Sequence, residues 1–416
     1  SKGRFFNVDP DMQPEGLADL SAVTLSRLYA SGALAPHEVV SAVADRMTAR
    51  EPALNAMYRF DAAGALASAR ASTERWRQGC ALSAVDGMPV TVKENLYSRG
   101  DPAPIGTAAG SLEPRTEDSP VVARLREAGC VLLGKTTMPD FGMLSSGLSS
   151  LHGITRNPWR TDLNPAGSSS GAAAAAAAGY GPWHVGTDIG GSIRLPAFHC
   201  GVFGLKPSLG RVPINPPFLG RAAGPLTRSV ADAALMMNVI TAPDARDFMS
   251  LPAQRCDYTL DLDGLDARGL RIALLEDMCA GWPVEPEIAE VVREVAQALS
   301  RAGAQLETIP SFMTAAMLDG IQAFFEARSH NELSALEPAR RARVLPFIDE
   351  WATWRAREFS GADVMRAYNQ IHAMREAAVR ASQPFDFVLS PVAPIAHYPA
   401  DHACPGNDPH RALDHI

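Results

Sequence analysis

Cysteine is scarce and scattered. The six residues (Cys80, Cys130, Cys200, Cys256, Cys279 and Cys404) form no CxxC pair and have no histidine at metal-ligand spacing. That argues against a disulfide framework or a zinc module and leaves reduced, mostly buried thiols as the expectation. Long apolar runs are missing too. The most apolar stretch, GAAAAAAAGYGPWHV (Gly171 to Val185), is rich in small residues and broken by Gly, Pro and His184, so it cannot cross a bilayer. The opening segment SKGRFFNVDPDMQPEG has no apolar secretory core, and a soluble, cytoplasmic protein is the expectation. No block of one charge occurs. With 38 basic residues against 46 acidic ones the formal net charge is −8, which disfavours a phosphate-tracking, nucleic-acid-binding surface.

What remains is an ordinary enzyme-like composition, 46% hydrophobic and 20% charged over 416 residues, long enough to bury a sizeable core. From Leu20 to Arg77 the pattern is helical: LSRLYASG ends in Gly32, and Pro36 opens HEVVSAVADRMTAR at a first-turn position. GMPVTVKENL (Gly87 to Leu96) switches to β-branched residues and reads as a strand with Lys93 near its end. PVVARLREAGCVLLGKTT then reads as a helix followed by a short buried strand. LRIALLED (Leu270 to Asp277), a helix across Glu285 to Ala302, QLETI and FDFVLSPV repeat the alternation. The expected fold class is α/β, without internal repeat or a linker that divides the chain cleanly.

Two serine- and glycine-rich segments carry the chemical signal: AGSSSG (Ala166 to Gly171) and GTDIGGSIR (Gly186 to Arg194). Glycines let successive backbone N–H groups converge into a nest for a developing negative charge, here from Ile189, Gly190, Gly191 and Ser192. A serine hydroxyl also needs a base to take its proton. No histidine fits that role: His184 and His199 sit in no triad motif, and the pattern GxSxG does not surround Ser192. A buried lysine is the physical alternative, because desolvation lowers an ammonium pKa from its reference of about 10.4. Lys93, in the apolar VTVKENL, is the candidate.

These segments resemble the amidase signature family of serine hydrolases. VTVKENL is similar to that family's catalytic-lysine segment, AGSSSG to its GGSSGG segment, and GTDIGGSIRLPAFHCGVFGLKPS to its signature core, with matching spacings. GKTTMPDFG, RNPWRTDLNP and AGPLTRSVADAALMMNVI extend the likeness to about residue 240. The resemblance implies a catalytic set of Ser192 as nucleophile, Ser168 as the middle serine on a cis peptide bond, and Lys93 as the proton acceptor. It further implies support from Ser169, Thr187, Asp188 and Arg194, an acyl side lined by Met143 and Leu144, and a leaving-group side shaped by the stretch from Met313 to Trp354. It implies a single large α/β amidase domain over 1–416, a mixed β-sheet core flanked by helices on both faces, with a helical layer to about residue 80, a signature core at about 85–240 and a peripheral part from 241. The family usually carries final strands and helices after the point where the chain stops at Ile416, so an incomplete or a reduced C-terminal end is the expectation.

The implied reaction is hydrolysis of a carboxylic amide to an acid plus ammonia or an amine through an acyl-enzyme, with no metal or cofactor. The implied partner is a small-molecule amide, not nucleic acid or membrane, and a homodimer stays open. The alternative is the glutaminase-type amidase subunit of a glutamyl-tRNA amidotransferase, which would need partner chains.

Other features read as structure. The alanine run from Ala172 to Ala178 is expected to be a tightly packed helix, and His152, His199 and His330 to be satisfied core or surface residues. The clustered His397, His402, His410 and His415 lie in a Pro/Asp-rich setting that favours a solvated loop over a metal site. GCVLLGKT (Gly129 to Thr136) matches the phosphate-loop string letter for letter, but a helix precedes it and a hydrophobic strand fills it, the reverse of what a phosphate cradle needs.

Overall fold

Local signals start and stop the helices as the sequence suggests. Helix α1 (Ala22–Ala30) begins after Ser21, whose hydroxyl accepts from Thr24 N–H, and the chain leaves it through Gly32 at φ 71°. Helix α2 (Pro36–Leu54) has Pro36 at its first position, where a missing N–H costs nothing, and Glu38 accepting from Ala35 N–H at 2.8 Å. It ends on Asn55 in the left-handed conformation. A short strand β1 (Met57–Phe60) interrupts the expected helical layer before α3 (Ala62–Arg77). It is an edge strand of four residues, too short for alternation to reveal it.

The computed structural model describes residues 16–254, 256–260, 262–277 and 283–414, so Cys279 and His415 lie outside the described residues. They form two compact units, the first running to Leu260 and taking in Pro399–His402, the second holding the remainder. In the first unit, β2 (Pro89–Lys93), β3 (Val131–Thr136), β6 (Trp183–Asp188), β7 (Phe203–Gly204) and β8 (Ala222–Thr227) join β1 in a mixed sheet of order β1-β3-β2-β6-β8-β7. Strand β2 runs parallel to both β3 and β6, while β8 is antiparallel to β6. A small hairpin pairs β4 (Leu148–Ser149) with β5 (Gly153–Ile154). Helices α4 (Pro120–Glu127), α5 (Ser170–Ala178), α6 (Arg194–His199) and α7 (Val230–Ile240) complete this unit. Residues of α1, α2 and α3 share one core with Val90, Val92, Val131, Leu133 and Trp183.

Every residue of α5 is buried. A Cβ at Gly171 would collide with Ala56 O and lie 2.5 Å from Thr137 N, so the small residues serve close approach of backbones. The phosphate-loop look-alike is indeed a strand: Gly134 and Lys135 lie in β3, and the buried Lys135 ammonium donates to Leu96 O. His184 is wholly buried, with Nε2 donating to Gly181 O at 3.1 Å and Nδ1 accepting from Thr91 Oγ1 at 2.8 Å; burial pulls its pKa down to about 3 and keeps it neutral.

The second unit holds a parallel sheet of order β10-β9-β11, built from β9 (Arg271–Leu274), β10 (Gln305–Thr308) and β11 (Phe387–Leu389). Its core joins Leu274 to Val292 and Ala296 of α8 (Pro286–Arg301). The stretch from Met313 to Trp354 carries α9 (Ala315–Ser334), α10 (Pro338–Arg341) and α11 (Pro346–Thr353), and α12 (Gly361–Ser382) follows. His410 stacks on Trp354 with ring centroids 4.5 Å apart. Among the described residues no helix is long and apolar enough to cross a membrane, and no group of three His, Cys, Asp or Glu side chains could hold a metal.

Candidate active site

Strand order brings distant segments together. Lys93 is the last residue of β2, and Val92 pairs with Val185 of the neighbouring parallel β6, so Lys93 lies beside the Gly186–Asp188 end of that strand. The first turn of α5 lies against the same end: Thr187 N–H donates to Ser169 Oγ at 3.3 Å, and Ser169 Oγ–H donates to Thr187 O at 3.1 Å. Ser169 N–H donates to Ser192 O at 3.1 Å, which ties the two serine segments to each other. The Gly167–Ser168 peptide is cis.

The Lys93 side chain is wholly buried, with Nζ 2.8 Å from Ser168 Oγ, 3.0 Å from Ser169 Oγ and 3.5 Å from Thr187 O. Burial pushes its pKa well below the ordinary lysine value, Arg221 pushes it further, and Asp188 and Glu94 oppose them. With the Ser169 hydroxyl proton committed to Thr187 O, a neutral Lys93 amine donates to Ser169 Oγ and can accept the proton of Ser168 Oγ–H.

Asp188, fully buried, shapes the loop that carries Ser192. Its Oδ1 accepts from Gly191 N–H at 2.9 Å and Arg194 Nη2 at 2.8 Å. Its Oδ2 accepts from Ile193 N–H at 3.0 Å, Arg194 N–H at 3.3 Å and Arg194 Nε at 3.0 Å. Burial raises the Asp188 pKa, but the Arg194 guanidinium and the loop amides outweigh it and hold the carboxyl below its usual range. Because the Gly191 amide is committed to Asp188, the nest narrows to the amides of Ile189, Gly190 and Ser192. Ser192 itself is half-buried, and its hydroxyl has no hydrogen-bond partner among the described residues.

Of the other expected residues, Thr187 Oγ1 accepts from Asn95 Nδ2 at 3.0 Å. Met143 and Leu144 are buried, and they follow Gly142, where a Cβ would lie 3.2 Å from Ser168 Oγ. Sequence reasoning missed Asn164. Its Oδ1 accepts from Gly147 and Ala166 N–H at 3.0 and 2.9 Å, while Nδ2 donates to His402 O at 3.0 Å and Ala400 O at 3.3 Å, fixing the approach to Gly167. It also missed Glu94 and its partner His152, because a lone acid after a strand and a lone histidine in a loop give no spacing signal.

A family model described as Amidase matches residues 38–410. A glutamyl-tRNA(Gln) amidotransferase subunit from Chloroflexus aggregans is 40% identical over 70% of this chain, and the match spans 60% of that relative's length. An acylamidase of Rhodococcus erythropolis is 32% identical over 95% of this chain and 83% of its own. The crystal structure of a bacterial aryl acylamidase of the amidase signature enzymes superposes with a TM-score of 0.84 at 29% identity, covering 92% of this chain and 82% of that one.

Proposed function

Because the chain belongs to the amidase signature family, we propose that it hydrolyses a carboxylic amide through an acyl-enzyme on Ser192, with Ser168 and Lys93 as the proton relay. The observation that carries this reading is the fully buried Lys93 Nζ, 2.8 Å from Ser168 Oγ, at the strand end beside the Ser192 loop.

Ser192 Oγ attacks the amide carbonyl carbon as its proton passes to Ser168 and the Ser168 proton passes to Lys93. The amides of Ile189, Gly190 and Ser192 hold the oxyanion. Collapse of the tetrahedral species breaks the C–N bond, and the leaving nitrogen takes the proton back from Lys93 through Ser168. Water then attacks the acyl ester by the same relay in reverse, releasing the acid and restoring the Ser192 hydroxyl. Ser169 and Thr187 hold Lys93 in place, Asp188 and Arg194 hold the Ser192 loop, and Met143 and Leu144 border the acyl group. A cytoplasmic setting fits the unpaired thiols of Cys80, Cys130, Cys200, Cys256 and Cys404.

The test is turnover of aliphatic, aromatic and amino-acid amides, read as released ammonia or amine, in wild type, Ser192→Ala and Lys93→Ala. Glutamine belongs in the panel because of the amidotransferase relatives. Turnover should vanish in Ser192→Ala and drop strongly in Lys93→Ala. Activity that survives Ser192→Ala sinks the mechanism.

A further inference from the structure

Glu94 follows Lys93 directly and is completely buried, which costs several kcal/mol for a carboxylate unless its oxygens are satisfied. Both are: Oε1 accepts from Gly106 N–H at 2.8 Å, and Oε2 lies 2.6 Å from His152 Nε2, whose side chain is 6% exposed. Each partner holds a different loop. Ile105 and Gly106 both have positive φ, and Ile105 O accepts from Phe141 N–H at 2.8 Å, one residue before the Gly142 that abuts Ser168. The His152 backbone carbonyl accepts from Asn55 Nδ2 at 2.6 Å, and the Tyr58 ring lies 4.8 Å from its imidazole. Glu94 N–H itself donates to Thr136 O, continuing the β2–β3 ladder past Lys93.

We propose that the buried Glu94–His152 pair is a positioning element of the relay: it locks the strand end carrying Lys93 to the loop beside Ser168, and the Glu94 carboxylate acts on the Lys93 amine. The inference rests on the relay reading above. An apolar residue of the same volume would fasten the loops less specifically and would leave the amine without that charge.

The charged and titratable groups around the pair are His152, Tyr58 and Lys135, with Asp101 ion-paired to Arg59 and Asp118 to Arg126 further out. Lys93 feels Arg221, Asp188 and Glu94. Glu94 favours the protonated amine, so removing its charge favours the neutral one and carries the acid limb of any Lys93-dependent rate to lower pH.

The probe is a fluorophosphonate, whose labelling rate at Ser192 is followed against pH without knowledge of the substrate. Glu94→Gln keeps the shape and the acceptor for Gly106 N–H but turns an NH₂ toward His152 Nε2; its acid limb should move to lower pH. Glu94→Asp keeps the charge but draws back from both partners; its limb should stay, and its plateau should fall about tenfold, as expected for a displacement well under 1 Å. A pair that merely fastened loops would leave the limb unmoved in Glu94→Gln. Melting curves accompany each variant. If Glu94→Gln does not fold, Glu94→Asp decides alone, and a wild-type plateau overturns the proposal. Labelling that survives in Ser192→Ala or Lys93→Ala sinks the relay and this inference together. Labelling that needs both residues, yet shows one limb and one plateau across the Glu94 variants, overturns the inference only.

Discussion

Replacing Asp188 by Asn changes one atom and should unmake the Ser192 loop. Five donors converge on the carboxylate: Gly191 N, Ile193 N, and Arg194 N, Nε and Nη2. An asparagine keeps one acceptor oxygen. Whichever way its amide turns, the NH₂ faces at least two donors: Gly191 N and Arg194 Nη2 if it takes the place of Oδ1, or Ile193 N, Arg194 N and Arg194 Nε if it takes the place of Oδ2. A buried donor left unsatisfied costs about 1–3 kcal/mol, and breaking a buried ion pair costs about 3–5 kcal/mol. Arg194 is half-exposed and can turn its guanidinium to water, which places the loss near the lower end, about 3 kcal/mol.

Two assays read this. In urea the unfolding midpoint should fall, and fluorophosphonate labelling of Ser192 should drop by about 100-fold or more, because a misplacement of order 1 Å is enough for that. The pH dependence follows from the depressed Asp188 pKa. A carboxylate lowered on folding contributes stability above its unfolded value, about 3.9, and loses it as pH falls through the lower folded value. Wild type should therefore lose stability in that acid window, and Asp188→Asn should show a flatter acid profile there. Wild-type labelling in a folded Asp188→Asn would refute the view that this carboxylate builds the loop.

Gly142→Ala places a methyl 3.2 Å from both Ser168 Oγ and Met138 Cε at φ +69°, whereas Gly32→Ala meets nothing within 4 Å at φ +71°. Both should lose about 1–2 kcal/mol for the left-handed backbone, but only Gly142→Ala should label more slowly, about tenfold; equal labelling in the two would remove Gly142 from the neighbourhood of the relay. The lowered Lys93 pKa predicts that wild-type labelling rises with pH along a limb below the ordinary lysine range, since the neutral amine is the active form. Lys93→Arg, always charged, should stay inactive across that range, and a limb near 10.4 in wild type would contradict a buried neutral amine.

The sequence made the fold class and most core elements legible because apolar period and end signals coincide there. Pro36, Gly32 and the VTVK run each have one local reading, and the structure follows it. Edge strand β1 was illegible because burial on one side of four residues leaves no period. The candidate site was legible in part. The serine segments and Lys93 stood out by residue type and spacing, yet the commitment of the Gly191 amide to Asp188 is a matter of loop geometry that no spacing encodes. Asn164 and Glu94 were invisible for the same reason: their partners lie in Gly147, Ala400 and His402, or in Gly106 and His152, all distant in sequence.

The glycines of the two serine segments also have a use besides bending. A Cβ at Gly186 would lie 2.7 Å from Ser169 Oγ and 2.8 Å from Leu226 Cδ1, in the middle of the strand that Lys93 neighbours. Any side chain there would push Ser169 away from Thr187 and thereby from Lys93 Nζ, 3.0 Å distant. The parallel pairing of β2 with β6 brings the lysine to the strand end, but the absence of a side chain at Gly186 lets the first turn of α5 sit low enough to reach it. The spacing between AGSSSG and GTDIGGS thus encodes a steric fit as well as a hydrogen-bond path. That is why Lys93 can reach Ser168 and Ser169, so far from it in sequence.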